Sequence, residues 1–244
     1  MVNRMSKLPT ASERAPAKDR SAARNRVLFV IPELSNGGAE RTAVHWANGL
    51  AQLGMEVGIL TFRKGGDYAA SVRSEVKLHD IGMRTKTVFE KIRAAWRVAR
   101  ASRDYDFVIS GLELRTDDIV IGAKLLNALR GAKKKYIGTV HVAVLSYPLF
   151  FKKRFGRRWW KAVYSRFDKI TAVSQGVAGD VAELTGVAAD KIGILPGPTD
   201  TETLRLKADE PVDVAEYEPY FVAVGRLEEQ KDYPTLITAF HRFL

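Results

Sequence analysis

From Arg26 to Leu195 the chain alternates short apolar, β-branched runs with longer stretches of helical spacing. That alternation limits the fold more than any other feature. Strands are expected at Arg26–Ile31, Val57–Phe62, Val76–Ile81, Phe107–Ser110, Tyr136–Val140, Lys169–Val173 and Lys191–Leu195. Most are continuous apolar runs rather than alternating ones, as in strands buried on both faces. Helices are expected between them at Ala39–Leu53, Thr85–Ser102, Asp117–Leu129, Leu149–Phe167 (open to a break at Gly156) and Gly176–Leu184. In the second of these, Val88, Ile92, Trp96 and Ala99 follow helical spacing and mark an expected buried face. The pattern predicts an α/β domain, a doubly wound parallel sheet with helices on both faces.

The flanks read differently. Residues 1–25 are rich in Ser, Ala, Arg and Lys without an apolar core. They read as a disordered basic tail and not as a secretory signal. The α/β domain spans residues 26–200. Residues 201–217 are polar and acidic and read as a linker. Tyr220–Val224 (YFVAV) then reads as a fresh buried strand, and Pro234–Leu244 begins a helix with proline in its first turn. One strand and one helix cannot bury a core. A second domain, residues 218–244, is therefore expected to be cut off shortly after it begins.

There is no cysteine, which excludes disulfides, thiolate metal sites and a thiol nucleophile. The formal charge is +11, and no Asp or Glu occurs from Ile119 to Phe167, where twelve Lys and Arg lie. A partner for that region should be anionic: phosphate, nucleic acid or a membrane surface. No apolar run approaches the roughly 20 residues that span a bilayer.

Three segments carry candidate chemistry. Asn36-Gly37-Gly38-Ala39-Glu40-Arg41 sits between the first strand and the first helix. Glycines there let backbone approach a ligand, and a helix N-terminus offers free N–H groups to an anion. It is neither the G-x-G-x-x-G dinucleotide fingerprint nor a P-loop. Gly225-Arg226-Leu227-Glu228-Glu229-Gln230-Lys231-Asp232 follows the late apolar run and places two cations five residues apart, suited to a diphosphate. His141 follows a strand at its carboxyl end, where open α/β sheets place ligand-binding residues. Asp104-Tyr105-Asp106 spells D-x-D, but it precedes a strand, and Asp106 is expected at that strand's start rather than on a metal.

Taken in order, GGAER after the first strand, Val173-Ser174-Gln175-Gly176-Val177-Ala178, Lys191-Ile192-Gly193-Ile194-Leu195-Pro196 and GRLEEQKD resemble the signatures of family 4 glycosyltransferases. The resemblance runs from about Arg26 to Leu244. It implies the GT-B architecture: a Rossmann-like N-terminal acceptor domain, here followed by the first strand and helix of a second Rossmann-like domain. It implies a retaining transferase that moves a sugar from a nucleotide diphosphate to an acceptor, in cell-surface polysaccharide or lipid glycan synthesis. Arg226 and Lys231 would neutralise the leaving diphosphate, and the backbone at Gly37 and Gly38 would meet it. His141 would face the reacting sugar. No metal or cofactor is implied, the nucleotide sugar being a substrate. Two departures stand out. Gly197 occupies the place where the family usually carries Asn. The paired glutamates that hold donor sugar and ribose would fall beyond Leu244.

The Leu149–Phe167 segment combines aromatics every four residues (Phe151, Phe155, Trp159, Phe167, with Val163) with cations including Lys152, Lys153, Arg157 and Arg158. Packing on the sheet and contact with an anionic membrane are both open readings. Lys152, Lys153, Arg157, Arg158 and Trp159 are the candidate membrane contacts, and the expected location is cytoplasmic, peripheral on the inner face of the membrane. The partners expected are a nucleotide sugar, a glycan or lipid-linked acceptor and that surface, with no nucleic acid. Alternatives are a catalytically inactive half that binds acceptor or membrane, and a basic nucleic-acid-binding module.

Overall fold

A computed structural model of the chain describes residues 25–35, 37–113, 115–145, 156–211 and 220–244. Its contacts divide it after Thr199 into two compact units.

The first unit is built on a seven-stranded sheet. In chain order its elements are β1 (Arg26–Ile31), α1 (Gly38–Gln52), β2 (Glu56–Thr61), β3 (Lys77–Asp80), α2 (Val88–Ala101), β4 (Phe107–Ser110), α3 (Asp117–Ala128), β5 (Lys135–Val140), α4 (Arg157–Tyr164), β6 (Lys169–Ala172), α5 (Gln175–Thr185) and β7 (Ile192–Ile194). The strand order is β3-β2-β1-β4-β5-β6-β7, and every pair is parallel. β1 lies at the centre of the winding, with Val27 opposite Val57 on one side and Phe107 on the other.

Alternation along β1 divides the core. Val27, Phe29 and Ile31 pack with Ala43, Val44 and Ala47 of α1 on one face of the sheet. Leu28 and Val30 pack with Val98 of α2, Val120 of α3, Trp160 of α4 and Val181 of α5 on the other. The period-2 geometry of a strand makes this division, and it explains why the middle of β1 is apolar on both faces.

Local signals start and stop the helices. Thr87 caps α2 in a capping box with Glu90, accepting from the Glu90 N–H at 3.2 Å while the Glu90 carboxylate takes the Thr87 N–H at 3.0 Å. Ser174 caps α5 through the Val177 N–H, and Gly186 ends it with φ 64°.

The buried face of α2 differs from the expected one. Ala94, Ala95, Val98 and Ala99 are buried, whereas Val88, Ile92 and Trp96 are exposed. The cause is the close approach of α2 and α3, which run side by side in the same direction. A Cβ on Gly122 would lie 3.0 Å from that of Ala95, Lys91 pairs with Asp118, and Asn127 donates to Ser102 at 3.0 Å. Small residues permit that spacing, and large ones would hold the helices apart.

The basic segment is seen from Gly156 onward. α4 begins at Arg157 with Gly156 as its N-cap, and residues 146–155, with Lys152 and Lys153, lie outside the described residues. Its buried face is Trp160, Val163 and Tyr164, with Phe167 just beyond; Val163 and Phe167 belong to the expected four-residue row, and Trp159 of that row is half-buried against the core. Trp160 stacks on Tyr164 at 4.7 Å, and Phe167 fills the space above Gly138 of β5.

In the second unit, Thr201–Ala208 forms helix α6 where a polar linker was expected, capped by Asp200 through the Thr203 N–H at 3.0 Å. Tyr220–Val224 forms no strand; these residues are largely exposed, and among the described residues no strand pairs with them. α7 (Tyr233–Phe243) follows as expected, with proline in its first turn and Phe221 edge-on to Phe240 at 5.6 Å.

Candidate functional site

The chain after β1 winds toward β2 and β3, and the chain after β4 winds toward β7. The loops leaving β1 and β4 therefore diverge at the carboxyl edge of the sheet. Such a switch point is where open α/β sheets bind ligands. The β1 loop carries Gly37 and Gly38, the β4 loop carries Glu113, and His141 directly follows β5.

Gly37 is the N-cap of α1, with φ −96° and ψ 151°, and the helix begins at Gly38. The Gly37 N–H donates to Ser35 O at 2.7 Å. The Glu40 carboxylate folds back against it, so that a Cβ on Gly37 would lie 1.8 Å from Glu40 Oε2. A side chain at 37 would therefore have to displace the Glu40 carboxylate. Gly38 is exposed, and nothing lies within 4 Å of where its Cβ would be. The first turn of α1 therefore presents bare backbone to solvent, as an anion site needs. Gly197, after β7, passes beside this turn: a Cβ there would meet Thr42 Oγ1 at 3.3 Å.

His141 is half-buried. Its Nε2 lies 3.2 Å from Thr139 Oγ1, and its ring is 6.3 Å from that of Trp46 on α1. Burial pushes its pKa below the usual histidine range, against the pull of a hydrogen bond to the Gly111 backbone. The ring is therefore neutral at pH 7, a hydrogen-bonding group rather than a cation.

Two buried acids beside it escaped the sequence reading. Burial pushes the Glu113 carboxyl up to about 8, helped by the nearby carboxylates of Asp117 and Glu40, although the His141 backbone N–H opposes the shift. Its Oε2 is buried without a hydrogen-bond partner. Asp117 accepts from Ser110 Oγ and Tyr164 Oη, both at 2.7 Å, and so ties β4, α3 and α4 together. The signal for Glu113 was positional, since it lies just past the end of β4, but an acid in Leu112-Glu113-Leu114-Arg115 reads as a solvated loop.

Arg226 is exposed in the second unit and pairs with Glu228 at 2.7 Å. A Cβ on Gly225 would touch the Lys231 side chain at 3.4 Å, so the loop folds Lys231 against the glycine before Arg226. Arg157 and Arg158 are exposed, and Arg157 pairs with Glu183 at 3.0 Å. Trp159 is half-buried, edge-on to Trp160 at 5.8 Å. Asp106 pairs with Arg26 at 3.0 Å at the opposite, amino-terminal edge of the sheet.

The profile of Glycosyltransferase Family 4 matches residues 36–203, more than half of the chain, from the glycine turn through β7. The chain belongs to glycosyltransferase family 4. Solved structures share the fold of this family-4 chain. A glycosyltransferase from Rickettsia africae ESF-5 is 19% identical, with a TM-score of 0.54, over 78% of this chain and 51% of that one. Anabaena Alr3699/HepE, in complex with UDP-glucose, is 13% identical, with a TM-score of 0.61, over 89% of this chain and 57% of that one. An α-glucosyltransferase, in complex with UDP and a mismatched 13-mer DNA, is 13% identical, with a TM-score of 0.56, over 91% and 53%. The family-4 chain thus spans about half the length of the structures it matches. No curated protein gave a match to it.

Proposed function

We propose that the first unit is the acceptor-side half of a glycosyltransferase that moves a sugar from a nucleoside diphosphate to an acceptor. The observation that carries this reading is the switch-point edge of a family-4 sheet, where the bare N-terminus of α1 and a neutral His141 both lie. The likeness to structures holding UDP or UDP-glucose supports a nucleotide-sugar donor.

The departing nucleoside diphosphate takes the negative charge of the broken glycosidic bond. The N–H at Gly38 stabilises that charge by the helix terminus, and on the family resemblance Arg226 and Lys231 supply cations to the same group. His141, uncharged, donates or accepts a hydrogen bond at a sugar hydroxyl without repelling the electron-poor anomeric carbon. Retention of configuration and a setting in cell-surface polysaccharide or lipid glycan synthesis rest on the family resemblance. A cytoplasmic location goes with this reading; among the described residues no helix is long and apolar enough to cross a membrane.

The test is transfer from a panel of nucleoside-diphosphate sugars by a two-domain chain in which these 244 residues supply the acceptor half. Nuclear magnetic resonance of the product gives its anomeric configuration. Acceptor-dependent transfer with retention supports the reading. Transfer with inversion removes the retaining assignment, and no transfer from any donor removes the enzyme reading in favour of a half that only binds.

A further inference from the structure

A cleft of about 170 Å³ opens at the same carboxyl edge of the sheet, on the far side of β1 from His141. Its walls come from the segments that follow four adjacent strands. Pro32 follows β1, Phe62 and Arg63 follow β2, Arg84 and Lys86 follow β3, and Arg115 follows β4. Four cations thus line one small cavity. Arg63 is paired with Glu33. Arg84, Lys86 and Arg115 are exposed, and none has an ion-pair partner among the described residues. The nearest acid on α2, Glu90, accepts the Lys86 and Thr87 N–H groups and feels the Arg84 charge, so two carboxylates, Glu33 and Glu90, stand against four cations. The cleft therefore carries an unbalanced positive charge suited to phosphate oxygens.

α2 leaves this cleft with an apolar stripe facing water. Val88 is 72% exposed, Phe89 82%, Ile92 59% and Trp96 45%. They lie on one side of the helix over about 12 Å, from the cleft toward the amino-terminal edge of the sheet. Exposed cations Arg93, Arg97 and Arg100 border them, and the Arg100 guanidinium lies 5.8 Å from the Trp96 ring centroid. On α3, Leu125 and Leu129 are exposed on the row of Asp118 and Gly122 that faces α2. Large aliphatic and aromatic side chains bordered by cations match the boundary between lipid headgroups and acyl chains. A nucleic-acid strand would leave the aliphatic part of the stripe without a partner.

We propose that α2 docks on an anionic lipid surface and that the Arg63–Arg84–Lys86–Arg115 cleft receives the phosphate-bearing headgroup of the acceptor lipid held there. The inference rests on the reading of this sheet edge as the acceptor side. It moves the membrane contact from α4, whose aromatic face is core, to α2, whose large apolar side chains are not. A lipid lying along α2 presents its headgroup at the edge that carries Gly38 and His141.

The experiment needs neither donor nor turnover, so its failure is separate from failure of the transferase reading. The protein is sedimented at physiological salt with phosphatidylcholine vesicles, and with vesicles containing roughly a third phosphatidylglycerol, an anionic lipid that attracts cationic surfaces. Inorganic pyrophosphate is titrated calorimetrically in parallel. Wild type is expected to bind the anionic vesicles and not the neutral ones. The Phe89→Ser, Ile92→Ser double variant should lose at least about tenfold in vesicle partition, with pyrophosphate binding and the unfolding midpoint unchanged. The Arg84→Gln, Arg115→Gln double variant should lose about tenfold or more in both binding assays. Arg157→Gln, Arg158→Gln should change neither. Wild type that ignores anionic vesicles, or a stripe variant that binds them like wild type, overturns the docking surface. Pyrophosphate binding untouched in the Arg84→Gln, Arg115→Gln variant overturns the cleft. Pyrophosphate binding without vesicle binding assigns the cleft to a soluble phosphate and overturns the lipid.

Discussion

The carboxylate of Glu40 fills the space where a side chain on Gly37 would begin, its Oε2 lying 1.8 Å from the ideal Cβ position. Gly37→Ala should therefore cost about 1–3 kcal/mol, the usual effect of forcing a methyl into a filled site. Gly38→Ala, in open space at the start of a helix, should be neutral or stabilising by up to about 1 kcal/mol. The Gly37→Ala, Glu40→Ala double variant should lose less than the sum of its parts, by roughly 0.5–3 kcal/mol, because the two residues share one space. Urea unfolding of these three variants and of Glu40→Ala measures this; strict additivity would mean that Glu40 simply swings away.

Glu113 should make stability fall as pH rises. Its carboxyl is pushed up to about 8 in the fold, against an ordinary value of 4.5. Below the lower value both folded and unfolded chains hold the proton. Between the two values only the folded chain holds it, so each step up in pH favours unfolding, and the loss levels off above the folded value. Unfolding measured from acid to mildly alkaline pH should show this decline in wild type. Glu113→Gln, neutral at every pH, should flatten it. The same slope in the variant would assign the decline to another group.

The aromatic face of α4 should behave as core. Trp160→Ala should cost about 3–5 kcal/mol, as large buried aromatics do. Tyr164→Phe removes the donor to buried Asp117 and should cost about 1–3 kcal/mol. Arg157→Gln and Arg158→Gln, at exposed sites, should stay within about 0.5 kcal/mol of wild type. Thermal or chemical unfolding decides, and an unfolding midpoint unmoved by Trp160→Ala would place that ring outside the core.

These contrasts show which parts of the molecule were legible in the sequence. All seven strands of the sheet fall within a residue or so of their expected places; the inner strands are buried on both faces and leave few polar positions to blur the signal, whereas the edge strands β3 and β7 are largely exposed. The face of α2 was misread because Val88, Ile92 and Trp96 are the large apolar residues. Contact with α3 selects for small ones instead, and that choice depends on a neighbour some thirty residues away. At the site, Gly37, Gly38 and His141 were found by position relative to strand ends. Glu113 was missed because burial of a loop acid is a tertiary property that no spacing reveals. The run Tyr220–Val224 has the composition of a strand, but a strand exists only when another lies beside it.

His141 should be needed for chemistry and not for folding. It is neutral at pH 7, so protonation in acid should lower its usefulness while pH above neutrality changes nothing on its account. In the two-domain chain, His141→Ala should reduce kcat by about 10²-fold or more, the usual effect of removing one transition-state hydrogen bond. The midpoint of unfolding should be nearly unchanged, since the ring is only half-buried.

The most direct test of the whole account is acceptor-dependent release of nucleoside diphosphate from a panel of sugar donors, measured side by side for the two-domain chain and its His141→Ala variant. Release with at least one donor, retention of configuration in the product and a loss of about 10²-fold in the variant are expected. No release from any donor, or release that His141→Ala leaves intact, would contradict it.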